Sequence, residues 1–176
     1  DVAPSRGLGD VYKRQAYTID YADLYRKGYR GVIFDIDNTL VPHGAPATKE
    51  AASFFASLRE TGFSTCLLSN NQKPRVAPFA DAVGSIYIEN AHKPSVKNYQ
   101  EACRRMGIKE EQAVFVGDQL FTDVYGAKRT GLYNILTEPI NPKEEIQIVL
   151  KRYLEHIVLS FYERDLARGR ITKKNS

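Results

Sequence analysis

Hydrophobic residues of this chain fall into five short continuous runs that are separated by segments with helical spacing. The runs occupy residues 31–37, 64–69, 85–88, 113–117 and 133–136. Apolar residues at consecutive rather than alternate positions are typical of strands that are buried on both faces of a sheet. The intervening segments predict helices over about 48–61, 73–83, 94–107 and 120–130, and each ends near a glycine. The pattern predicts an α/β domain over residues 16–140, with a parallel sheet, right-handed crossovers and helices on both faces.

Two terminal segments fall outside this pattern. Residues 1–15 show no clear amphipathic period and resemble translated sequencing-adaptor sequence, which predicts a non-native or disordered leader. Residues 141–170 begin with Asn141 and Pro142 and carry apolar side chains at helical spacing, so we expect a C-terminal amphipathic helix, followed by a tail at 171–176. This helix either packs on or extends the core, or contacts a membrane surface or a second subunit, because some apolar residues fall on its opposite face.

A smaller stripe is formed by Tyr17, Tyr21 and Tyr25, which recur every four residues near the start of the domain. Such a stripe faces one side of a helix. Packing into the core is the default interpretation, and anchoring at a membrane interface is the alternative.

Composition narrows the compartment and the kind of partner. The chain has 43% hydrophobic residues, which is ordinary for a packed domain, and no apolar run of the length that a bilayer requires. No signal peptide is visible, and two cysteines without a CxxC pair argue against zinc or a disulfide framework, so we expect a cytoplasmic protein. The net charge of +4 favours phosphates or anionic lipid surfaces only weakly.

Polar residues follow the apolar runs at the point where each predicted strand ends. They comprise the pair Asp35 and Asp37, the run Ser69-Asn70-Asn71, the segment 89–93, and the pair Gly117-Asp118. In open parallel sheets, ligands bind beyond the carboxyl ends of the strands. We therefore expect these side chains to meet in one site.

The residue types at these positions suit a phosphate and a divalent cation. Asp35 and Asp37 repel each other unless a cation or a proton intervenes. Together with Asp118 and Asp123 they offer only oxygen ligands, which suit magnesium better than zinc. Lys93, beside a helix that Pro94 is predicted to open, places positive charge near a phosphate.

These motifs, in this order, resemble those of the haloacid dehalogenase superfamily. The segment 34–40 matches its first motif, DxDxT; Ser69 fits the second, Lys93 the third, and segment 117–123 the fourth, GDxxxxD. The resemblance implies a three-layer Rossmann-like core with a five-stranded parallel sheet in the order 5-4-1-2-3. The intervals between the motifs hold one helix and one strand each, so we expect no cap domain.

By this resemblance, Asp35 is the nucleophile that forms an aspartyl-phosphate, and Asp37 is the general acid and base. The expected phosphate ligands are Ser69, Asn70 and Lys93. The expected cofactor is Mg²⁺, and its ligands are Asp35, the backbone carbonyl of Asp37, Asp118 and, in support, Asp123.

Several of these residues also have a purely structural interpretation. Ser69 could cap a turn, Asn70 and Asn71 could be turn residues, and Lys93 could be a surface lysine. Asp123 could be an acidic residue in the first turn of a helix, where it favours the helix dipole.

More narrowly, the chain resembles the YqeG group of subclass IIIA phosphatases, which is similar to mitochondrial phosphatidylglycerophosphate phosphatases. That resemblance implies a phosphorylated substrate, with a lipid phosphate as the leading candidate and peripheral contact at the inner face of the membrane.

The alternatives are a soluble sugar, nucleotide or nucleic-acid phosphate, or a non-catalytic binding protein. The intact acidic set argues against a mere binding protein. No basic patch interleaved with aromatic residues is present, so no nucleic acid is expected as a partner.

Overall fold

The computed structural model describes residues 11–13 and 15–143. Six strands and five α-helices alternate along this part of the chain. The strands are β1 (Val11–Lys13), β2 (Gly31–Phe34), β3 (Ser64–Leu68), β4 (Ile86–Ile88), β5 (Ala113–Gly117) and β6 (Tyr133–Thr137). The helices are α1 (Tyr21–Arg26), α2 (Lys49–Thr61), α3 (Lys73–Val83), α4 (Val96–Met106) and α5 (Tyr125–Thr130). Short 3-10 turns occupy Ala16–Thr18 and Glu110–Gln112, and a π-helical turn occupies Leu120–Val124.

All strands are parallel and lie in the order β1-β6-β5-β2-β3-β4. The five strands predicted from the sequence are β2 to β6, and their spatial order confirms the expected 5-4-1-2-3 arrangement. The central strand β2 pairs with both β3 and β5 along its whole length, from Gly31 to Phe34. The three strands that carry the first, second and fourth motifs are therefore neighbours.

The central strands β2 and β5 are buried on both faces, as the continuous apolar runs predicted, whereas β4 is not, since Ile86 is exposed. Val32 and Phe34 of β2 belong to one hydrophobic cluster, which also includes side chains of α1, α2 and α3. Ile33, between them, belongs to a second cluster with α4 and α5. Because consecutive strand residues point to opposite faces, the two clusters form the two layers of core on either side of the sheet.

Local signals explain most element boundaries. In α2, the Thr48 side chain accepts a hydrogen bond from the Ala51 N–H at 3.0 Å, and the helix ends at Gly62, whose φ of +103° favours glycine. In α4, the helix begins at Val96 after Ser95, so the expectation that Pro94 is the first helical residue is wrong.

The tyrosine stripe packs into the first cluster. Tyr21 is buried, while Tyr17 and Tyr25 are partly buried against the same cluster. The ring of Tyr21 lies 5.4 Å from that of Phe54, and the ring of Tyr25 lies 5.3 Å from that of Phe63. These contacts support the core interpretation of the stripe rather than interfacial anchoring.

Strand β1 is an addition to the predicted fold. It comes from residues 11–13, which fall within the predicted leader, and pairs with β6 from Val11↔Ile135 to Lys13↔Thr137. Without β1, β6 would be the edge strand of the sheet, and an edge strand exposes unpaired backbone groups that an adjacent extended segment can use. The non-native origin of residues 1–15 stays a prediction.

The chain divides into two compact units, Asp1–Ile140 and Asn141–Ser176. The helix predicted over residues 141–170 and the tail at 171–176 lie outside the described residues from position 144 onward. Among the described residues, none of the helices combines the length and the apolar character that crossing a bilayer requires.

The intervals between the motifs are described throughout and contain no additional domain. Between Asp37 and Ser69 the chain forms α2 and β3, and between Ser69 and Lys93 it forms α3 and β4. The prediction that these intervals lack a cap domain is therefore confirmed.

Candidate active site

Four predicted site residues meet at the carboxyl edge of the sheet. Asp35 directly follows β2, Ser69 follows β3, and Asp118 follows β5, while Lys93 lies in the loop after β4. The Asp35 N–H donates to Val116 O at 3.0 Å, which continues the ladder between β2 and β5 by one residue. The strand ends therefore fix the backbone from which these side chains project.

The Lys93 ammonium is the electrostatic centre of the site. Its Nζ lies 2.8 Å from Asp35 Oδ1 and 2.7 Å from Asp123 Oδ1. The side chains of these three residues are 3%, 7% and 0% exposed, respectively. Lys93 is therefore a buried cation between two carboxylates, and the surface-lysine interpretation is wrong.

Burial and the attraction between Lys93 and Asp35 act in opposite directions on the pKa values of these two residues. Burial raises the pKa of Asp35 to about 6, although Lys93 lowers it, and Asp123 adds to the rise. Burial alone would lower the pKa of Lys93, but the carboxylates of Asp123 and Asp35 outweigh burial and raise it. Lys93 thus stays protonated at neutral pH.

Three buried carboxylates converge on one point next to Lys93. One oxygen from each of Asp35, Asp118 and Asp123 lies within 4.8 Å of the others. The donors are all carboxylate oxygens, which fit a hard cation such as Mg²⁺. Three carboxylates and one ammonium leave a net negative charge, so a divalent cation would complete the electrostatics.

Asp118 and the threonine of the first motif are directly linked. Thr39 Oγ donates to Asp118 Oδ1 at 2.9 Å, and both side chains are buried. Thr39 was not predicted as a site residue, although its place in the DxDxT motif was a signal for it.

Asp123 is held by the turn on which it lies. Its Oδ2 accepts the Gln119 N–H at 3.1 Å, while its backbone carbonyl and that of Thr122 face the Tyr99 hydroxyl, at 3.4 and 2.6 Å. The π-helical turn Leu120–Val124 directs the carboxylate inward. Asp123 lies in the first turn of this segment, as the alternative interpretation expected, but its side chain is fully buried and paired with Lys93.

Gly117 leaves room for this carboxylate. A Cβ at position 117 would contact Asp123 Oδ2, with Asp123 Cγ at 2.7 Å and a Phe115 ring atom at 2.8 Å. We expect Gly117→Ala to destabilise the fold by about 1–3 kcal/mol and to lower activity, because Asp123 must move away from Lys93. Thermal melting and turnover of a chromogenic phosphate ester measure the two effects.

Gly31→Ala is the matched control, since it lies on the neighbouring strand. Its new Cβ would contact the far ends of the Ile108 and Met106 side chains, which can shift. It should retain activity at temperatures where it is folded. Retention of full activity by Gly117→Ala would contradict the tight-packing argument.

The Asp37 side chain takes part in a different set of contacts. Its Oδ1 accepts from Arg75 Nη2 and from the Gly44 N–H, each at 2.8 Å, and its Oδ2 accepts from Asn71 Nδ2 at 2.6 Å. Its carboxylate is not part of the group formed by the other three aspartates in the described residues. The predicted role of its backbone carbonyl as a metal ligand stays a prediction. Arg75 was not predicted as a site residue.

Ser69 and Asn70 occupy the loop after β3. Ser69 Oγ accepts the Asn71 N–H at 3.1 Å, so its hydroxyl hydrogen is the group that could reach a phosphate oxygen. The Asn70 side chain accepts from Lys93 N at 2.7 Å and donates to Lys93 O at 3.4 Å. In the structure Asn70 therefore positions the Lys93 backbone, and its role as a phosphate ligand stays a prediction.

Comparisons with known proteins find similar sequences along most of this chain. The family model described as "haloacid dehalogenase-like hydrolase" matches residues 44–131. The Bacillus subtilis (strain 168) protein named "Probable phosphatase YqeG" is 34% identical over 158 residues, covering 89% of this chain and 92% of its own length. The Arabidopsis thaliana "Phosphatidylglycerophosphate phosphatase 1, chloroplastic/mitochondrial" is 29% identical and covers 86% of this chain, which spans 46% of that protein.

A solved structure of a hypothetical protein from Xanthomonas campestris supports the fold alone. It superposes with a TM-score of 0.54 at 16% identity, and the match covers 77% of this chain and 79% of that one.

Proposed function

We propose that this chain, which belongs to the haloacid dehalogenase-like hydrolases and is a phosphatase, hydrolyses a phosphate monoester through an aspartyl-phosphate on Asp35. The proposed cofactor of this reaction is Mg²⁺. The observation that carries the proposal is the buried Lys93 ammonium between Asp35 and Asp123. A nucleophilic carboxylate beside a fixed positive charge is what phosphoryl transfer requires, since that reaction depends on positioning and charge neutralisation.

The first chemical step uses Asp35 and Asp37. The Asp35 carboxylate attacks phosphorus, the bond to the ester oxygen breaks, and Asp37 gives its proton to the departing oxygen. Lys93 and the Ser69 hydroxyl hold the oxygens of the transferring group.

The second step regenerates the enzyme. Asp37 accepts a proton from water, the water oxygen attacks phosphorus, and the bond between phosphorus and the Asp35 oxygen breaks to release inorganic phosphate. Asp35, Asp118 and Asp123 would hold Mg²⁺, assisted by the Asp37 carbonyl. When bound, the cation supplies positive charge that offsets the charge of the phosphate.

A lipid phosphate is the substrate class that we favour. The similarity to the Arabidopsis phosphatidylglycerophosphate phosphatase supports it. Phe121 is 80% exposed only two positions before Asp123, and Tyr125 one turn later is 55% exposed. The Arg129 guanidinium lies 5.5 Å from the Tyr125 ring centre. Exposed aromatic rings and a cation beside an uncovered site suit an anionic lipid surface, which would place the protein peripherally at the inner face of the membrane.

A substrate panel with and without magnesium tests this function. We expect phosphatase activity with Mg²⁺, loss of activity with excess EDTA and recovery when Mg²⁺ is restored, because the carboxylates otherwise repel a phosphate. Among substrates, phosphatidylglycerophosphate in mixed micelles should give a higher kcat/KM than glucose 6-phosphate, a mononucleotide or a 5′-phosphorylated oligonucleotide. Released phosphate is the readout.

The panel separates the two parts of the proposal. A preference for a soluble phosphate would reject the lipid substrate and leave the phosphatase mechanism intact. Full activity in EDTA would reject the magnesium site.

A further inference from the structure

We infer that Arg75 and Asn71 are positioning residues that fix the Asp37 carboxylate for proton transfer to the leaving group. This inference rests on the proposed function, because it assigns Asp37 as the general acid. It goes further by naming two residues that determine how well the enzyme handles substrates with poor leaving groups.

The contacts of Asp37 define one orientation of its carboxylate. Arg75 and the Gly44 N–H bind one oxygen at 2.8 Å each, and Asn71 binds the other at 2.6 Å. Donors on both oxygens prevent rotation of the carboxylate about its terminal torsion, which is otherwise a soft motion. The pair of Arg75 and Asp37 is shielded, since the side chains are 20% and 9% exposed. Such a pair holds its geometry better than an ion pair in water.

The two donors are themselves anchored to the scaffold that carries the other site residues. The Asn71 N–H donates to Ser69 Oγ at 3.1 Å, and Asn71 O accepts the Asn90 N–H at 2.9 Å. Arg75 lies in the first turn of α3, and its guanidinium carbon lies 5.6 Å from the Phe79 ring centre. The orientation of Asp37 is thus tied to the loop after β3.

The position of Arg75 is unfavourable for the helix itself. The first turn of α3 contains Lys73 and Arg75 and no acidic residue, although the positive end of the helix dipole favours acids there. A cation at such a place suggests a requirement other than helix stability. The hydrogen bond from Arg75 to Asp37 Oδ1 meets that requirement, and it leaves one lone pair of Oδ2 open for the proton that Asp37 carries as the general acid.

Orientation of the acid matters most when the leaving oxygen needs a proton. A dinitrophenolate leaves without help, whereas an alkoxide does not, and general acid catalysis contributes roughly 10²–10⁴-fold to such steps. The ratio of kcat/KM for an alkyl phosphate to that for 2,4-dinitrophenyl phosphate therefore reports how well Asp37 is placed to donate a proton to the leaving oxygen. The parameter kcat/KM covers only the steps up to aspartyl-phosphate formation, so slow hydrolysis of that intermediate does not obscure the ratio.

The experiment measures this ratio, with glycerol 3-phosphate as the alkyl ester, in wild type, Arg75→Ala, Arg75→Lys and Asn71→Ala. We expect the ratio to fall about tenfold or more in Arg75→Ala and Asn71→Ala, and to recover partly in Arg75→Lys, which restores one charged donor. If Arg75→Ala fails to fold, Asn71→Ala provides the same comparison without loss of a charge.

Two controls separate positioning from general effects of losing a cation. Lys73→Ala removes an exposed charge from the same helical turn, and Arg59→Ala removes an arginine that binds the carbonyls of Val83 and Gly84. Both should leave the ratio unchanged even if Arg59→Ala lowers the melting temperature. An equal loss for both esters in Arg75→Ala and Asn71→Ala, or no loss, would overturn the inference.

Failure of the proposed function gives a different result. In that case wild type would release phosphate in a magnesium-dependent way neither from these two esters nor from any substrate of the panel, and no ratio could be measured. If wild type is active but the ratio does not change in Arg75→Ala and Asn71→Ala, only the positioning role is rejected.

Discussion

Asp35→Asn is expected to lower phosphatase turnover by roughly 10⁴-fold or more while the protein keeps its fold. The amide has the shape of the carboxylate but is a poor nucleophile, so no phosphoryl transfer to residue 35 can occur. Burial is the largest contribution to the raised pKa of Asp35, which means that its charged form is costly in this site. A neutral amide removes that cost, and the melting temperature without metal should be unchanged or higher. Hydrolysis of a chromogenic ester and thermal melting measure the two effects.

Asp81→Asn provides the matched control for the loss of one acidic charge. Asp81 is exposed on α3, so both activity and melting temperature should stay at the wild-type value. Full activity of Asp35→Asn, after intact mass has excluded deamidation to aspartate, would refute the nucleophilic role of Asp35. A large drop in its melting temperature would instead refute the argument that the charge is costly.

The parts of the fold that could be predicted from sequence are those that burial alone determines. Strand β5 and helix α3 have the predicted bounds, 113–117 and 73–83, because one is apolar throughout and the other ends at a glycine. The positions of Asp35, Ser69 and Asp118 followed from a general property of parallel sheets, whose carboxyl ends share an edge.

The features of the fold and of the site that could not be predicted depend on contacts between residues that are distant in sequence. Asp37 and Arg75 are 38 positions apart, and no local pattern indicates that an arginine at the start of a helix will reach the first motif. The helical pattern does not separate the π-helical turn at Leu120–Val124 from an α-helix. Only the resemblance to the fourth motif, and not this local pattern, indicated that Asp123 belongs to the site. Strand β1 pairs with the edge that β6 would otherwise expose, and that edge exists only in the assembled sheet.

Lys93→Met is expected to have the largest effect on stability of the changes considered. The ammonium lies between two carboxylates that are almost fully buried, and its removal leaves both without their cation. Breaking a buried ion pair by removing one partner costs about 3–5 kcal/mol, which corresponds to a fall of roughly 10 °C in melting temperature for a chain of this size. Activity should fall as well, because a phosphate would then enter a site with net negative charge and no ammonium.

Lys97→Met is the control for the same substitution at a place without a buried partner. Lys97 lies exposed on α4, only four positions further along the chain, and its loss should change the melting temperature little. Melting is compared in EDTA, so that bound metal does not mask the lost charge. If Lys93→Met is as stable and as active as the wild type, the electrostatic account of the site is contradicted.

A double variant tests whether charge, rather than lost packing, explains the instability. In Lys93→Met/Asp123→Asn the second change removes one of the two carboxylates that lost their cation. If uncompensated charge dominates, the double variant melts at a higher temperature than Lys93→Met alone, and the two effects are strongly non-additive. If packing of the lysine stem dominates, the second change adds a further loss, because an asparagine in place of Asp123 cannot repair a void. Added Mg²⁺ should likewise raise the melting temperature of Lys93→Met more than that of wild type, since in the variant the cation relieves a larger excess of negative charge.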